Sequence, residues 1–195
     1  MVPTVQEIIN TNTIDDDQLR MMFVCCHPSL STEAQVSLIL KTRCGFSVAE
    51  IAKAYVSNHD TIEKRLYRAR QSFRDNHVQF ELPPTVELNN RMDNVLMAIY
   101  LLFNEGYNAT QHDELIRKDL MEEVLRLCEL ICRSPSVNHS NAHALMALIF
   151  FTASRNEARQ DADGKILLLK QQDITNWNKQ LIQKRHSSPG SICGR

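Results

Sequence analysis

The most chemically distinctive residues form a basic run near the middle of the chain. Between positions 64 and 74 there are five cations and no acidic residue: Lys64, Arg65, Arg68, Arg70 and Arg74. Positions 41–76 carry a net charge of +4 whereas the whole chain carries −1, so the other residues together carry −5. Concentrated cations attract phosphate groups, and the charge pattern therefore predicts contact with nucleic acid.

Short polar residues stand directly before this basic run. In the motifs that insert a helix into the major groove, the residues at the start of the recognition helix meet the base edges. Lys64, Arg65 and Arg68 follow at relative positions i, i+1 and i+4, so we expect them to project from one side of the helix. The predicted DNA-binding residues are Ser57, Asn58, His59, Asp60, Thr61, Lys64, Arg65 and Arg68.

Four helices must position these side chains. Apolar residues at helical spacing predict them within residues 15–76, at about 16–26, at 32–43, from position 47, and from position 57 or 58 to about 76. Ser47 and Glu50 form a capping box at the start of the third helix. Ala52 is small enough to let the third and fourth helices cross closely, and a short polar turn joins them. This order of elements predicts a helix-turn-helix.

A solvated amphipathic helix in an all-α protein is the alternative interpretation of the same residues, since it also carries an exposed charged face. The cap at Ser47, the small Ala52, the short turn and the acid-free basic run favour DNA binding.

The remainder of the chain predicts a second helical region. Residues 77–88 contain a Pro-Pro pair and no helical period, which predicts a linker. A second small helical domain is predicted over residues 89–185, with helices near 90–104, 113–133, 140–154 and 174–184, followed by a disordered tail at 186–195. Only 5 glycines and 6 prolines occur, too few for the turns of a sandwich or barrel, so the predicted fold class is all-α.

Composition and motifs exclude several classes of function. The longest uncharged apolar stretches are about half of the roughly 20 residues that a membrane span needs. No leader sequence opens the chain, so we expect a cytoplasmic protein with no membrane partner. No phosphate-binding glycine loop, nucleophile elbow or HExxH motif occurs, so we predict neither an enzyme nor a cofactor.

Two pairs of residues raise the alternative of a zinc site. Cys128 with Cys132, and His139 with His143, each have the i, i+4 spacing that places two ligands on one side of a helix. The cysteines lie beside leucines on an apolar face, where a free cysteine usually packs as a small hydrophobe. We therefore favour packing and predict no metal.

Residues 46–70 resemble region 4 of extracytoplasmic-function sigma factors. Glu50-Ile51-Ala52 fills that family's E-I-A helix, and residues 61–70 (TIEKRLYRAR) fill its recognition-helix pattern T-V-x-x-R-L-x-R-A-R. Asn58-His59-Asp60 departs from the more usual small or glycine-containing turn, and this affects the expected promoter preference.

The resemblance extends outward to a subgroup with a long helical C-terminal extension. Its signatures are similar to LRMMFVCCHP at 19–28, LLFNEGY at 101–107, DADG at 161–164 and the QD and Trp of 172–177. Together they cover roughly residues 17–184. Region 2 of the family would precede residue 1, so we expect a fragment or a truncated gene product.

The resemblance implies that the fourth helix binds the minus-35 promoter element and that region 4 docks on the β flap of core RNA polymerase. The apolar face of the first two helices is the expected docking surface. The acidic remainder of the chain also allows a masking hypothesis, in which it folds over the basic helix, or contact with a regulatory protein. The alternative function is a helical interaction module that docks on RNA polymerase or a regulator without reading DNA sequence.

Overall fold

A computed structural model describes residue 14 and residues 16–108, 117–134, 140–161 and 165–184. These residues form helices and no β-strand, apart from one isolated bridge between Gln160 and Ile166. The predicted all-α class is confirmed. Residues 162–164 of the DADG motif, His139 and the tail at 186–195 lie outside the described residues.

Eight α-helices are described. The first four are α1 (Asp17–Cys25), α2 (Thr32–Thr42), α3 (Val48–Ala54) and α4 (His59–Asp75). The others are α5 (Thr85–Tyr107), α6 (Lys118–Arg133), α7 (Ser140–Ala153) and α8 (Lys179–Lys184). Short 3-10 helices occupy Asn156–Ala158, Leu169–Gln171 and Ile174–Asn176. None of the helices in the described residues is both long and apolar enough to cross a membrane.

Polar side chains fix where the first four helices begin. Asp16, Ser31, Ser47 and Asn58 are the N-cap residues of α1 to α4, and each accepts a hydrogen bond from a backbone N–H of the first turn. The predicted capping box of α3 is confirmed: Ser47 N donates to Glu50 Oε2 over 2.6 Å, and Glu50 N donates to Ser47 Oγ over 3.2 Å.

Helix α5 forms the centre of the apolar core. It packs against α1, α2 and α3 on one side and against α6 and α7 on the other. Met92, Val95, Ile99 and Leu102 are fully buried along it. The predicted linker of residues 77–88 is irregular only as far as Pro84, because α5 begins at Thr85. The core is therefore continuous across the boundary between the two predicted domains.

Polar contacts cross the same boundary. Arg91 Nη1 donates to the carbonyl oxygen of Phe23 over 3.1 Å, and Asn94 Nδ2 donates to Gln35 Oε1 over 2.6 Å. Arg91 is buried, and its charge is paired with Glu87 within α5, where Arg91 Nη2 donates to Glu87 Oε2 over 2.5 Å. The first four helices and α5 are thus joined by hydrogen bonds as well as by apolar packing.

Candidate nucleic-acid interface

A tight turn of four residues, 55–58, joins α3 to α4. Ser57 N donates to the carbonyl oxygen of Ala52 over 2.7 Å, and Val56 adopts a left-handed φ of 49°. Asn58 then caps α4, because its Oδ1 accepts from Thr61 N over 2.8 Å. The side chain of Asn58, predicted to bind DNA, is therefore engaged in starting the helix, and Ser57 is half-buried in the turn.

The inner face of α4 is fixed by apolar contacts. Ile62, Leu66 and Ala69 are buried, and α4 packs against α2 and α3. Ala52, a residue of α3, is 6% exposed, and α3 packs against α4. The small side chain agrees with the predicted close crossing of these two helices. With this face buried, the opposite side of α4 must point to solvent.

The outer face of α4 presents exposed cations. Thr61, Lys64 and Arg68 are exposed, as are His59 and Asp60 at the start of the helix. In the part of the chain that the structure describes, no carboxylate lies within ion-pair distance of Lys64 or Arg68. An exposed cation that is not held in an ion pair is available to attract a phosphate.

Arg65 differs from its two neighbours. Its guanidinium carbon lies 5.0 Å from the centre of the Tyr55 ring, and its Nη1 donates to Ser37 Oγ over 3.4 Å. Arg65 thus makes contacts within the fold that Lys64 and Arg68 do not share. Arg65 is half-buried and connects α4 to α2 and to the end of α3.

Two exposed apolar residues at this surface were not among the predicted site residues. Val56 is 96% exposed in the turn, and Tyr67 is 64% exposed beside Lys64 and Arg68. A helical projection of α4 places Tyr67 opposite the buried stripe, so its exposure can be predicted from spacing. The exposure of Val56 cannot, because it depends on the left-handed backbone of the turn.

One group of side chains has the composition of a cation site. Ligand atoms of His59, Asp60 and Glu63 all lie within 4.8 Å of one another, and all three residues are exposed. The His59 Nδ1 to Glu63 Oε2 distance is 3.7 Å across one turn of α4. Exposed acidic groups of this kind are common on protein surfaces without a bound ion.

The zinc alternative is disfavoured by the surroundings of its cysteines. Burial raises the pKa of Cys128 to about 12 and that of Cys132 to about 11. Cys128 lies in the apolar core, in agreement with the packing role that its neighbours predicted.

Comparison with known proteins identifies a protein family that the second half of the chain matches. Residues 91–188 match a family of unknown function, DUF6596, a range that begins within α5 and excludes α4. An uncharacterized protein of Rhizobium meliloti (strain 1021) is 35% identical over an alignment of 184 residues that covers 90% of this chain and 43% of that protein. The chain thus spans less than half the length of this relative. No solved structure matches it. Because the matched residues 91–188 make up half of the chain, the chain belongs to the DUF6596 family.

Proposed function

We propose that this chain is the part of an RNA polymerase sigma factor that recognises the minus-35 promoter element. The observation that carries the proposal is the outer face of α4, where Lys64 and Arg68 are exposed and have no acidic partner among the described residues. The similarity of residues 46–70 to region 4 of extracytoplasmic-function sigma factors also supports it.

Helix α4 has the dimensions of a recognition helix. Its 17 residues extend over about 25 Å, and its inner face is held by α2 and α3 so that the outer face can enter a major groove. Thr61, with His59 and Asp60 near the N-terminus, lies where base edges would be met. Lys64 and Arg68 would contact guanine edges or phosphates.

The contacts proposed for RNA polymerase need a surface other than the apolar faces of the first two helices. Those faces are buried against α5, with Phe23 and Ile39 fully enclosed.

The proposal does not require the acidic remainder of the chain to mask the basic helix. Within the described ranges Lys64 and Arg68 are exposed, and α4 packs chiefly on α2 and α3.

Fluorescence anisotropy of the whole chain with a library of minus-35-like duplexes, repeated over a salt series, tests the proposal. We expect sequence-dependent binding that weakens steeply with salt. If Lys64 or Arg68 contacts phosphates, its replacement by alanine should reduce the slope of log K against log salt by about 0.9 for each phosphate that the variant no longer binds. If it contacts a base, the same replacement should cost about 1–3 kcal/mol of binding free energy at one base position. Lys170→Ala removes the same charge from an exposed site in the second region and is the matched control.

The second candidate is a protein-docking module, and the exposure of Val56 and Tyr67 favours it. Exposed apolar side chains at one surface are typical of interaction sites. This function predicts that the folded chain binds no duplex at low salt but still binds purified RNA polymerase, and that Val56→Ser with Tyr67→Ser abolishes that binding. Duplex binding by the wild-type chain that Lys64→Ala abolishes would contradict it.

A further inference from the structure

A groove of about 560 Å³ lies between the α1–α2 turn and α4. The α4 wall carries Lys64, Arg65 and Arg68, and the turn contributes the hydroxyl of Ser29 opposite them. The floor is apolar and is made by Leu30, Ala34 and Ala69. A groove with cations on one wall, hydroxyls on the other and an apolar floor has the chemistry of a site for a phosphate group.

Two serines place their hydroxyls together at one end of this groove. Ser72 Oγ donates to Ser29 Oγ over 3.4 Å, and Ser29 Oγ lies 2.8 Å from His27 Nδ1. Ser72 follows Arg68 by one turn of α4, so the guanidinium and both hydroxyls belong to the same stretch of the groove. A bound phosphate oxygen would replace Ser29 Oγ as the acceptor of the Ser72 proton, while Ser72 Oγ keeps accepting from Asn76 Nδ2. The Ser29 hydroxyl would turn from His27 Nδ1 to the same phosphate, and that nitrogen still accepts from Ser29 N.

The other end of the groove is closed to anions by Glu33. This carboxylate bonds to its own backbone N–H and to the Ser31 hydroxyl, and with the nearby Arg65 they hold the pKa of Glu33 below its usual value. The start of α2 is thus satisfied by an internal carboxylate, which repels a second negative charge. Since Arg65 is engaged with Tyr55 and Ser37, Lys64 and Arg68 are the groove cations left for an external anion. Of these two, Arg68 lies one helical turn from Ser72.

We infer that Arg68, Ser72 and Ser29 bind a backbone phosphate of the DNA whose bases α4 contacts. The inference rests on the proposed function and deepens it, because it makes the α1–α2 turn a second point of contact with the duplex. A phosphate held there fixes the orientation of α4 in the major groove without adding sequence preference.

The test compares Ser29→Asp with Ser29→Asn in the whole chain. Ser29 is exposed, so both variants should keep the wild-type melting curve. Aspartate places a carboxylate where the phosphate would lie, and we expect it to weaken binding of every duplex by about tenfold, the effect of losing one charge-assisted hydrogen bond. The slope of log K against log salt should fall by about 0.9. Asparagine keeps a donor without the charge and should change the affinity by less than about twofold.

The outcomes separate the two proposals. If the wild-type chain binds duplexes and Ser29→Asp binds them with the same affinity and slope, the groove assignment is wrong and the proposed function stands. If the wild-type chain binds no duplex, both are wrong. A titration with inorganic phosphate alone distinguishes the source of the anion. Saturable binding in the low millimolar range that Ser29→Asp abolishes, with duplex binding unaffected by that variant, would assign the groove to a free anion instead.

Discussion

Arg117 and Glu50 form an ion pair that connects the two halves of the chain. Arg117 Nη1 lies 3.5 Å from Glu50 Oε1, while the other oxygen of Glu50 accepts from Ser47 N. Arg117 is the N-cap residue of α6, inside the range that matches DUF6596, and Glu50 completes the capping box of α3. The helix that precedes the proposed recognition helix is thus held at its start by a residue of the second half.

Replacing Arg117 with alanine should destabilise the protein. The Glu50 side chain is 8% exposed, so losing its partner leaves a largely buried carboxylate with only its backbone bond. We expect a loss of about 1–3 kcal/mol in the free energy of unfolding, measured by urea denaturation followed by circular dichroism. Arg133→Ala breaks an exposed pair with Glu129 and should cost less than about 0.5 kcal/mol. Equal effects of the two variants would contradict this assignment.

We expect Asn58 to affect stability through its capping hydrogen bond and DNA binding through its lack of charge. Asn58→Ala removes the cap of α4 and is expected to cost about 1 kcal/mol of stability. Asn58→Asp keeps the cap but adds a negative charge at the start of the helix. It should therefore melt like the wild-type protein while binding duplexes more weakly at low salt. A normal melting temperature for Asn58→Ala would show that the cap contributes little.

Asp16 makes the stability depend on pH in the acid range. Burial opposes its ionisation, but bonds from Arg126 and from Leu19 N–H outweigh that effect and hold the pKa of Asp16 below its usual value. The stabilisation is therefore fully present above the unfolded-state pKa and is lost as the pH falls through the folded-state value.

Asp16→Asn keeps a capping side chain and removes the titration. Measured between pH 7 and pH 3, the free energy of unfolding should fall less in Asp16→Asn than in the wild-type protein. Parallel curves for the two proteins would mean that the Asp16–Arg126 pair does not contribute to acid stability.

We expect Arg159 to stabilise the protein through its planar guanidinium group and not only through its positive charge. Its guanidinium carbon lies 3.4 Å from the centre of the Tyr107 ring, and its two terminal nitrogens donate to Tyr107 O and Asn108 Oδ1 over 2.6 and 2.9 Å. Lysine keeps the charge but lacks the planar guanidinium that stacks on the ring while its two ends donate in fixed directions. Arg159→Lys is therefore expected to destabilise the protein by about 1–3 kcal/mol in urea denaturation. Lys170→Arg, at an exposed position, is the control for the exchange itself.

Much of the first half can be predicted from sequence because its signals are local. A capping side chain acts on backbone groups two or three positions away, so Ser47 predicts the start of α3 by itself, and Asn58 was one of two predicted starts for α4. The buried stripe of α4 follows from the helical period alone. These features need no knowledge of what the helices pack against.

Features that depend on tertiary contact were predicted less well. The spacing of the cations does not reveal that Tyr55 and Ser37 engage Arg65, because those residues belong to other parts of the fold. The helix predicted over 174–184 is divided into a 3-10 turn at Ile174–Asn176 and α8, where the chain bonds back through Asn178 N to Ser154 O over 2.8 Å. Such contacts join residues that are distant in sequence. The hydrophobic periodicity of a segment gives no information about them.

The central position of α5 has a consequence for how the protein is made. The ribosome releases α1 to α4 before α5, yet α5 packs on the apolar faces of α1 and α2 and completes their burial. A nascent chain that ends before Tyr107 therefore still exposes apolar surface around Phe23 and Ile39. We expect the first half to reach its final packing only after α5 has emerged, and chaperones that bind apolar segments to act during that interval.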